Sequence, residues 1–352
     1  MPEPASPYSL GQQVAIGSLQ SELKRLWQQG EGAMTRASLI NLAVYSEQAG
    51  SLKSNTQIVA KIAENHACRA LVISAEPNSS DSGVESWINA HCHVGQSGKQ
   101  QVCSEQLSFR LQGSCVSLLT SIVFSHLDSD LPFYLWWQSE LHDPMDPQLW
   151  TWVDRFIYDS SGWKNFNAQF RLVETAQAEA KQRITLCDLN WTRLDKHRLA
   201  IAQFFDHPAS HHHFKEMELV EIEYAAGFKS TAILLVGWLG AQLNWRVNEP
   251  AHNGSCRFLD SANRKIDVEL HQVAGPPVGK VVLKSRETRF AVAPAKCGDL
   301  LEVCRSGPNE KPFPQMLPAQ GNDAVTLLSD ELMRGGQHRV YLRALNCVRS
   351  LL

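Results

Sequence analysis

The sequence predicts an α/β protein with an N-terminal mixed, largely parallel sheet flanked by helices and a second, α+β C-terminal domain. Three observations carry this expectation. Residues 38–74 alternate strand, helix and strand, the β-α-β order that implies parallel pairing. The run Asp130–Trp137 (DLPFYLWW) is apolar on both faces, as a strand covered by helices on both sides must be. Beyond Asp206 the pattern changes to strands that follow one another with few helices between them. A chain of 352 residues exceeds the roughly 150-residue prior for one domain, so two are expected, 1–185 and 186–352.

Taken in order, Leu19–Gln29 is an amphipathic helix with Leu19, Leu23, Leu26 and Trp27 on one stripe. Ser38–Tyr45 reads as a strand, Gln57–Ala67 as a helix and Arg69–Ser74 as a strand. Val84–Val94 and Val102–Leu111 follow as strands joined by the polar GQSGKQ, which suits a hairpin and some antiparallel pairing. In the second of these, Cys103, Leu107, Phe109 and Leu111 share a face that also carries Glu105. A carboxylate buried there must be paired or hydrogen-bonded. Ser117–Leu127 is a helix, and the strand ending at Trp137 opens into QSELHDPMDPQ, a short Trp-rich helix and a buried strand at 155–159.

Ligands in open α/β sheets bind beyond the carboxyl ends of strands, so Glu140, His142, Asp143, Asp159, Ser160 and Ser161 form a candidate functional edge. Ile184–Asp188 is a strand leading into a helix that Asp188 or Asn190 caps. The second domain is expected to hold a strand at Met217–Tyr224, a helix around Thr231–Trp245, strands near 256–259, 266–273, 281–285 and 289–292, and a C-terminal helix.

Composition excludes several classes. Hydrophobic residues make up 43% and charged residues 20%, as in ordinary globular proteins. A net charge of −3 offers no footprint for nucleic acid or an anionic membrane, and the longest apolar stretch, Thr231–Ala241, is too short to span a bilayer. The N-terminus has no basic start and no apolar h-region, so a cytoplasmic protein with mostly reduced thiols is expected.

No Gly-x-Gly-x-x-Gly follows a strand, and neither a phosphate loop, a Gly-x-Ser-x-Gly elbow nor a His-Glu-x-x-His pair occurs. His91 and His93, and the cluster His207, His211, His212 and His213, lack the spacing of a zinc site, so no metal or cofactor is expected. Trp136, Trp137, Trp150 and Trp152 crowd seventeen positions, suited to core packing or to a partner surface. Cys297 and Cys304 flank a Gly-Asp turn signal and read either as two buried free thiols or as a pair closed by a fold-back.

Several runs together resemble the OpcA family, the glucose-6-phosphate dehydrogenase assembly or activator proteins of cyanobacteria and actinobacteria. They are Cys103-Ser-Glu-Gln106 followed by Gly113, the Asp130–Trp137 run, Arg155-Phe-Ile-Tyr-Asp-Ser160, Asp188-Leu-Asn-Trp-Thr-Arg193, Phe204-Phe-Asp206, and Gly237-Trp-Leu239 with Leu243 and Trp245. Gln242 stands where the family often carries Arg. The resemblance implies a non-catalytic protein that binds glucose-6-phosphate dehydrogenase and raises its activity in the oxidative pentose phosphate pathway. It also implies thioredoxin-dependent redox control, for which Cys297 and Cys304 are the candidate pair.

The alternative is a stand-alone enzyme or sensor binding a sugar phosphate on the loops after Trp137 and Asp159. The buried strand ending at Trp137 fixes the start of the loop holding Glu140, His142, Asp143 and Asp146, bordered by Trp150 as an aromatic anchor, and this loop is the candidate partner site.

Overall fold

A computed structural model of the chain describes residues 9–29, 34–94, 101–142, 146–179, 184–204, 206, 213, 215–252, 254–286, 288–307 and 314–352. Asp143, His207, His211 and His212 lie outside the described residues. The chain forms two compact units. The first comprises Met1–Tyr158, Gln169–Cys187 and Leu328–Gly336; the second comprises Asp159–Ala168, Asp188–Leu327 and Gln337–Leu352. The sequence expectation placed a single cut at 185/186. The structure instead builds each unit from three stretches.

The first unit contains β1 (Gln12–Val14), α1 (Leu19–Gln29), β2 (Met34–Arg36), β3 (Ile40–Ser46), α2 (Ser51–Ala63), β4 (Cys68–Glu76), β5 (Gly83–Val94), β6 (Gln101–Gln112), α3 (Leu119–His126), β7 (Phe133–Trp137), α4 (Pro147–Thr151) and β8 (Arg155–Tyr158). Most of α5 (Phe166–Glu179) and of β9 (Thr185–Asp188) also belongs to it. The sheet order is β1-β5-β6-β4-β3-β7-β8-β9, with β2 also on β6.

Strands β6, β4, β3, β7 and β8 run parallel, while β5 is antiparallel to β1 and β6. Burial follows from this topology. The central β3 and β4 are almost continuously buried, because helices cover both faces of a parallel sheet. The α1 stripe packs as its spacing predicts, with Leu19 and Leu23 buried and Leu26 and Trp27 half-buried.

The β5–β6 hairpin joins Val94 opposite Gln101 to Gly83 opposite Gln112, which sets Cys92 against Cys103. Those two cysteines form a disulfide that the sequence did not single out, since it offers free cysteines as the default and only Cys297 with Cys304 as a candidate pair. Cys297 and Cys304 are both free. Cys297 sits in the turn that leads into a strand beginning at Leu300, and Cys304 lies four residues along that strand. At about 3.3 Å per residue the strand alone carries Cys304 roughly 13 Å from its start. A disulfide needs Cα atoms within about 7 Å.

The second unit holds α6 (Leu189–Thr192), α7 (Asp195–Gln203), β10 (Met217–Tyr224), α8 (Lys229–Leu243), β11 (Arg246–His252), β12 (Ser255–Leu259), β13 (Lys265–Gln272), β14 (Val278–Ser285), β15 (Thr288–Pro294), β16 (Leu300–Ser306) and β17 (Gln315–Pro318). Helix α9 (Ala324–Met333) is divided between the two units, and α10 (Arg339–Leu351) returns to the second. Its sheet runs β11-β12-β13-β10-β14-β15-β16-β17, antiparallel except for the β10–β13 pair. The mixed α/β and α+β fold class therefore holds.

The buried helix α8 packs on α10, and the packing depends on two glycines. A Cβ at Gly237 would lie 2.5 Å from Val348 Cγ2 and 2.7 Å from the Ala344 carbonyl oxygen, and one at Gly240 would lie 2.6 Å from Cys347 Sγ. Only a residue without a side chain allows this approach. Among the described residues no helix is long and apolar enough to cross a membrane.

Candidate functional site

Strands β3, β7 and β8 run parallel, so the loops entering them gather at one edge of the first unit's sheet. There the structure holds a cavity of about 480 Å³. Its lining comes from the amino ends of β3 and β7 and from the segments that precede β7 and β8, at Phe124–Leu131 and Thr151–Asp154. Asn41, buried at the start of β3, fixes this edge. Its Nδ2 donates to the carbonyl oxygens of Asp128 (2.8 Å) and Leu131 (3.0 Å), and its Oδ1 accepts from the Asp128 N–H (2.9 Å). Asp154 accepts the Phe133 N–H at 2.8 Å and so ties the entry of β8 to that of β7.

The helix α4 explains why one tryptophan lies inside and the other outside. Asp146 caps it by accepting the Gln148 N–H (2.9 Å), Pro147 opens it, and it ends at Thr151. Trp150, on its inner face, is 2% exposed and meets Phe156 edge to face at 4.6 Å. Trp152, just past the end, is 64% exposed and makes an edge contact with Phe124 at 6.1 Å. The expected aromatic anchor Trp150 is therefore a core residue, and the exposed ring is Trp152.

Among the described residues, the loop after β7 does not gather its candidates into one cluster. His142 is exposed and lies 2.9 Å from a Glu47 oxygen, while the Glu140 carbonyl accepts from the Trp137 indole at 3.4 Å. Asp146 accepts from Thr120 as well as capping α4. Each has a different neighbour, and the cavity lies at the amino edge of the strands, opposite to the edge where the sequence placed the site.

Two buried carboxylates were within reach of the sequence. Glu105, on the apolar face of β6, is met by Arg69 from β4, by Arg36 from β2 at 2.9 Å and by the Trp27 indole at 3.1 Å. Arg69 also donates to the His126 carbonyl. In the second unit Asp188, fully buried, accepts from the Ser160 N–H (3.0 Å) and hydroxyl (2.6 Å), the Asn190 N–H (2.9 Å) and the Tyr341 hydroxyl (2.9 Å). Asn190 accepts in turn from Thr231 (2.5 Å) and donates to Ser160 and Ser230.

Burial first, and then the charge of Asp159, push the Asp188 carboxyl up to about 6, against the hydrogen bonds from Ser160 and Tyr341 that lower it. Asp159 itself forms a two-point pair with Arg193, at 2.7 and 3.2 Å, and caps Ser161. Asp159, Ser160 and Ser161 are thus brought together, but as a structural knot whose groups bond one another.

A second buried ion pair lies in the first unit. Arg155, at the start of β8, lies over the Tyr134 ring and pairs with Glu331 of α9 at 3.5 Å, and its guanidinium donates to the Gly336 carbonyl, 181 residues away in sequence. Of the free thiols, Cys68 and Cys256 are pushed up to about 12 by burial, which makes them poor nucleophiles, whereas Cys297 is exposed.

Comparison with known proteins adds what geometry alone does not supply. A family model described as the N-terminal domain of a glucose-6-phosphate dehydrogenase subunit matches residues 59–175, and its C-terminal counterpart matches residues 184–345. The chain belongs to the OpcA family. OpcA proteins of Nostoc punctiforme and Synechocystis sp., provisionally named as OxPP cycle proteins, are 24% and 22% identical over 329 and 311 residues, covering 86% and 83% of this chain. The chain spans 69% and 65% of their lengths.

Among solved structures, an aldose-aldose oxidoreductase of Caulobacter crescentus matches at 10% identity and TM-score 0.48, covering 89% of this chain and 96% of that one. Levoglucosan dehydrogenase with NADH and L-sorbose matches at 10% identity and TM-score 0.49, covering 90% and 96%. Likeness this loose says nothing about the chemistry of the OpcA family member described here.

Proposed function

We propose that this chain acts in the cytoplasm as a non-catalytic partner of glucose-6-phosphate dehydrogenase, binding the enzyme and raising its activity for the oxidative pentose phosphate pathway. The observation that carries the reading is the pair of family models, both described as domains of a glucose-6-phosphate dehydrogenase subunit, which match in order along residues 59–175 and 184–345. The sequence agrees, since it carries no nucleotide fingerprint and no nucleophile motif.

In physical terms activation requires tighter binding to the active conformation or oligomer of the enzyme. Equal affinity for both states shifts nothing. The test is a dehydrogenase assay of the cognate enzyme with increasing amounts of this protein, alongside sedimentation of the mixture. A complex with raised turnover or a lowered KM is expected. An unchanged rate with no complex at any ratio overturns the reading. Measured turnover of glucose 6-phosphate by this protein alone would overturn the non-catalytic part.

A further inference from the structure

We propose that the cavity at the amino ends of β3, β7 and β8 is a docking groove for a segment of the partner protein that presents a bulky apolar side chain beside Lys or Arg. The proposal rests on the reading of this chain as a protein-binding factor and adds to it a surface and the chemistry of what fits there.

Three observations select the occupant. First, the apolar part of the lining, Phe124, Leu127, Leu131 and Trp152, surrounds a space of about 480 Å³. That is room for a large aliphatic or aromatic side chain and part of its backbone. Second, Trp152 presents most of its ring to solvent while its edge contacts Phe124, and it sits outside the helix that buries Trp150. Exposed tryptophan beside a concave apolar surface is the side chain most over-represented among residues that dominate binding energy.

Third, the charged lining residues are Asp128 and Asp154, and none of the lining residues is basic. Asp154 is exposed although its Oδ2 accepts the Phe133 N–H, so its second oxygen remains open to a cation. A ligand carrying phosphate would face two carboxylates and no compensating cation, which disfavours a sugar phosphate in this cavity. A Lys or Arg flanking an apolar side chain meets both demands at once.

The floor is already organised. Asn41 holds the Asp128–Leu131 turn by three hydrogen bonds, and Asp154 holds the start of β7, so docking requires little ordering of the backbone.

The test uses the full-length protein with purified cognate glucose-6-phosphate dehydrogenase, comparing wild type, Trp152→Ala, Asp154→Asn and His142→Ala in binding titrations at low and moderate salt. Asp154→Asn keeps an acceptor for the Phe133 N–H while removing the charge. Circular dichroism and melting temperature are measured on every variant. Trp152→Ala should weaken binding at least tenfold with an unchanged melting temperature, Asp154→Asn severalfold with a flatter salt dependence, and His142→Ala by less than twofold.

If wild type binds and both groove variants bind within twofold of it, the groove is overturned while the proposed function stands. A loss confined to His142→Ala moves the contact to the loop after β7 and also overturns it. If wild type forms no complex, the proposed function fails and this inference fails with it. If sedimentation shows that Trp152→Ala abolishes self-association and leaves enzyme binding unchanged, the occupant is a second copy of this chain and the proposal is wrong.

Discussion

Two fully buried carboxylates, one in each unit, are stabilised in opposite ways. Glu105 in the first unit faces two guanidinium groups and an indole N–H, so its charge is balanced by charge. Asp188 in the second unit receives its hydrogen bonds from two hydroxyls and two backbone amides, and its nearest charged influence is another carboxylate, Asp159. Equal burial therefore does not mean equal behaviour. The ion-paired site fixes three strands and a helix against one another, and removing Glu105 or Arg69 leaves the other's buried charge without its main counter-charge. The neutral-donor site holds its elements as firmly in number of bonds, but it takes up a proton under mildly acidic conditions.

The sharpest way to break the comparison is Glu105→Ala. It leaves Arg69 buried without its counter-charge, and such truncations typically cost about 3–5 kcal/mol. Urea denaturation should show that loss, and a loss under about 1 kcal/mol would mean that the guanidinium groups reach water and that Glu105 resembles Asp188 more than its contacts suggest.

The second effect is that of pH on the other site. The Asp188 carboxyl sits at about 6 in the folded protein, against 3.8 as the ordinary value for the unfolded chain. Between those values the folded state holds one proton more than the unfolded state, so stability falls as pH rises across the window. The total is about 3 kcal/mol. Comparing wild type with Asp188→Asn at several pH values isolates this slope, and parallel curves for the two proteins would show that Asp188 is ionised throughout.

The smallest effect tests the donors. Tyr341→Phe removes one of the four bonds to Asp188 and should cost about 1 kcal/mol. It should also move the titration of Asp188 upward, since that hydroxyl bond lowers the carboxyl. A downward shift in the midpoint would mean that the hydroxyl favours the protonated form.

Much of the fold was legible because it rests on local patterns. The alternation along β6 placed Glu105 among Leu107 and Phe109, and the end of a strand offered Asp188 or Asn190 as a helix cap, of which the structure uses Asp188. Their partners were not legible. Arg69 and Arg36 reach Glu105 through the register of β4 and β2 on β6, and Tyr341 reaches Asp188 across 153 residues.

The same limit hid the disulfide. Cys92 and Cys103 are eleven residues apart with no short-spaced motif, and only the hairpin register brings them together. In the second sheet, β11 went unseen because it is largely exposed and carries no apolar alternation, so it lacked the signal that revealed β10 and β13. Trp150 and Trp152 were equal as letters. What separates them is where a five-residue helix begins and ends.

The pairing of Arg155 with the segment around Glu331 and Gly336 has a consequence for the order in which the molecule can be made. Arg155 leaves the ribosome together with β8, yet the residues that neutralise and cover it are synthesised up to 181 positions later. At about 5–20 residues per second that interval is roughly ten to forty seconds. During it, the strands of the first sheet can pair, but a buried cation at its heart has no counter-ion and its covering segment does not yet exist. Nearly the whole second sheet is translated before the first can close. Until the segment around Glu331 and Gly336 has been made, the contact that covers Arg155 cannot form, so that part of the first unit is completed only near the end of synthesis.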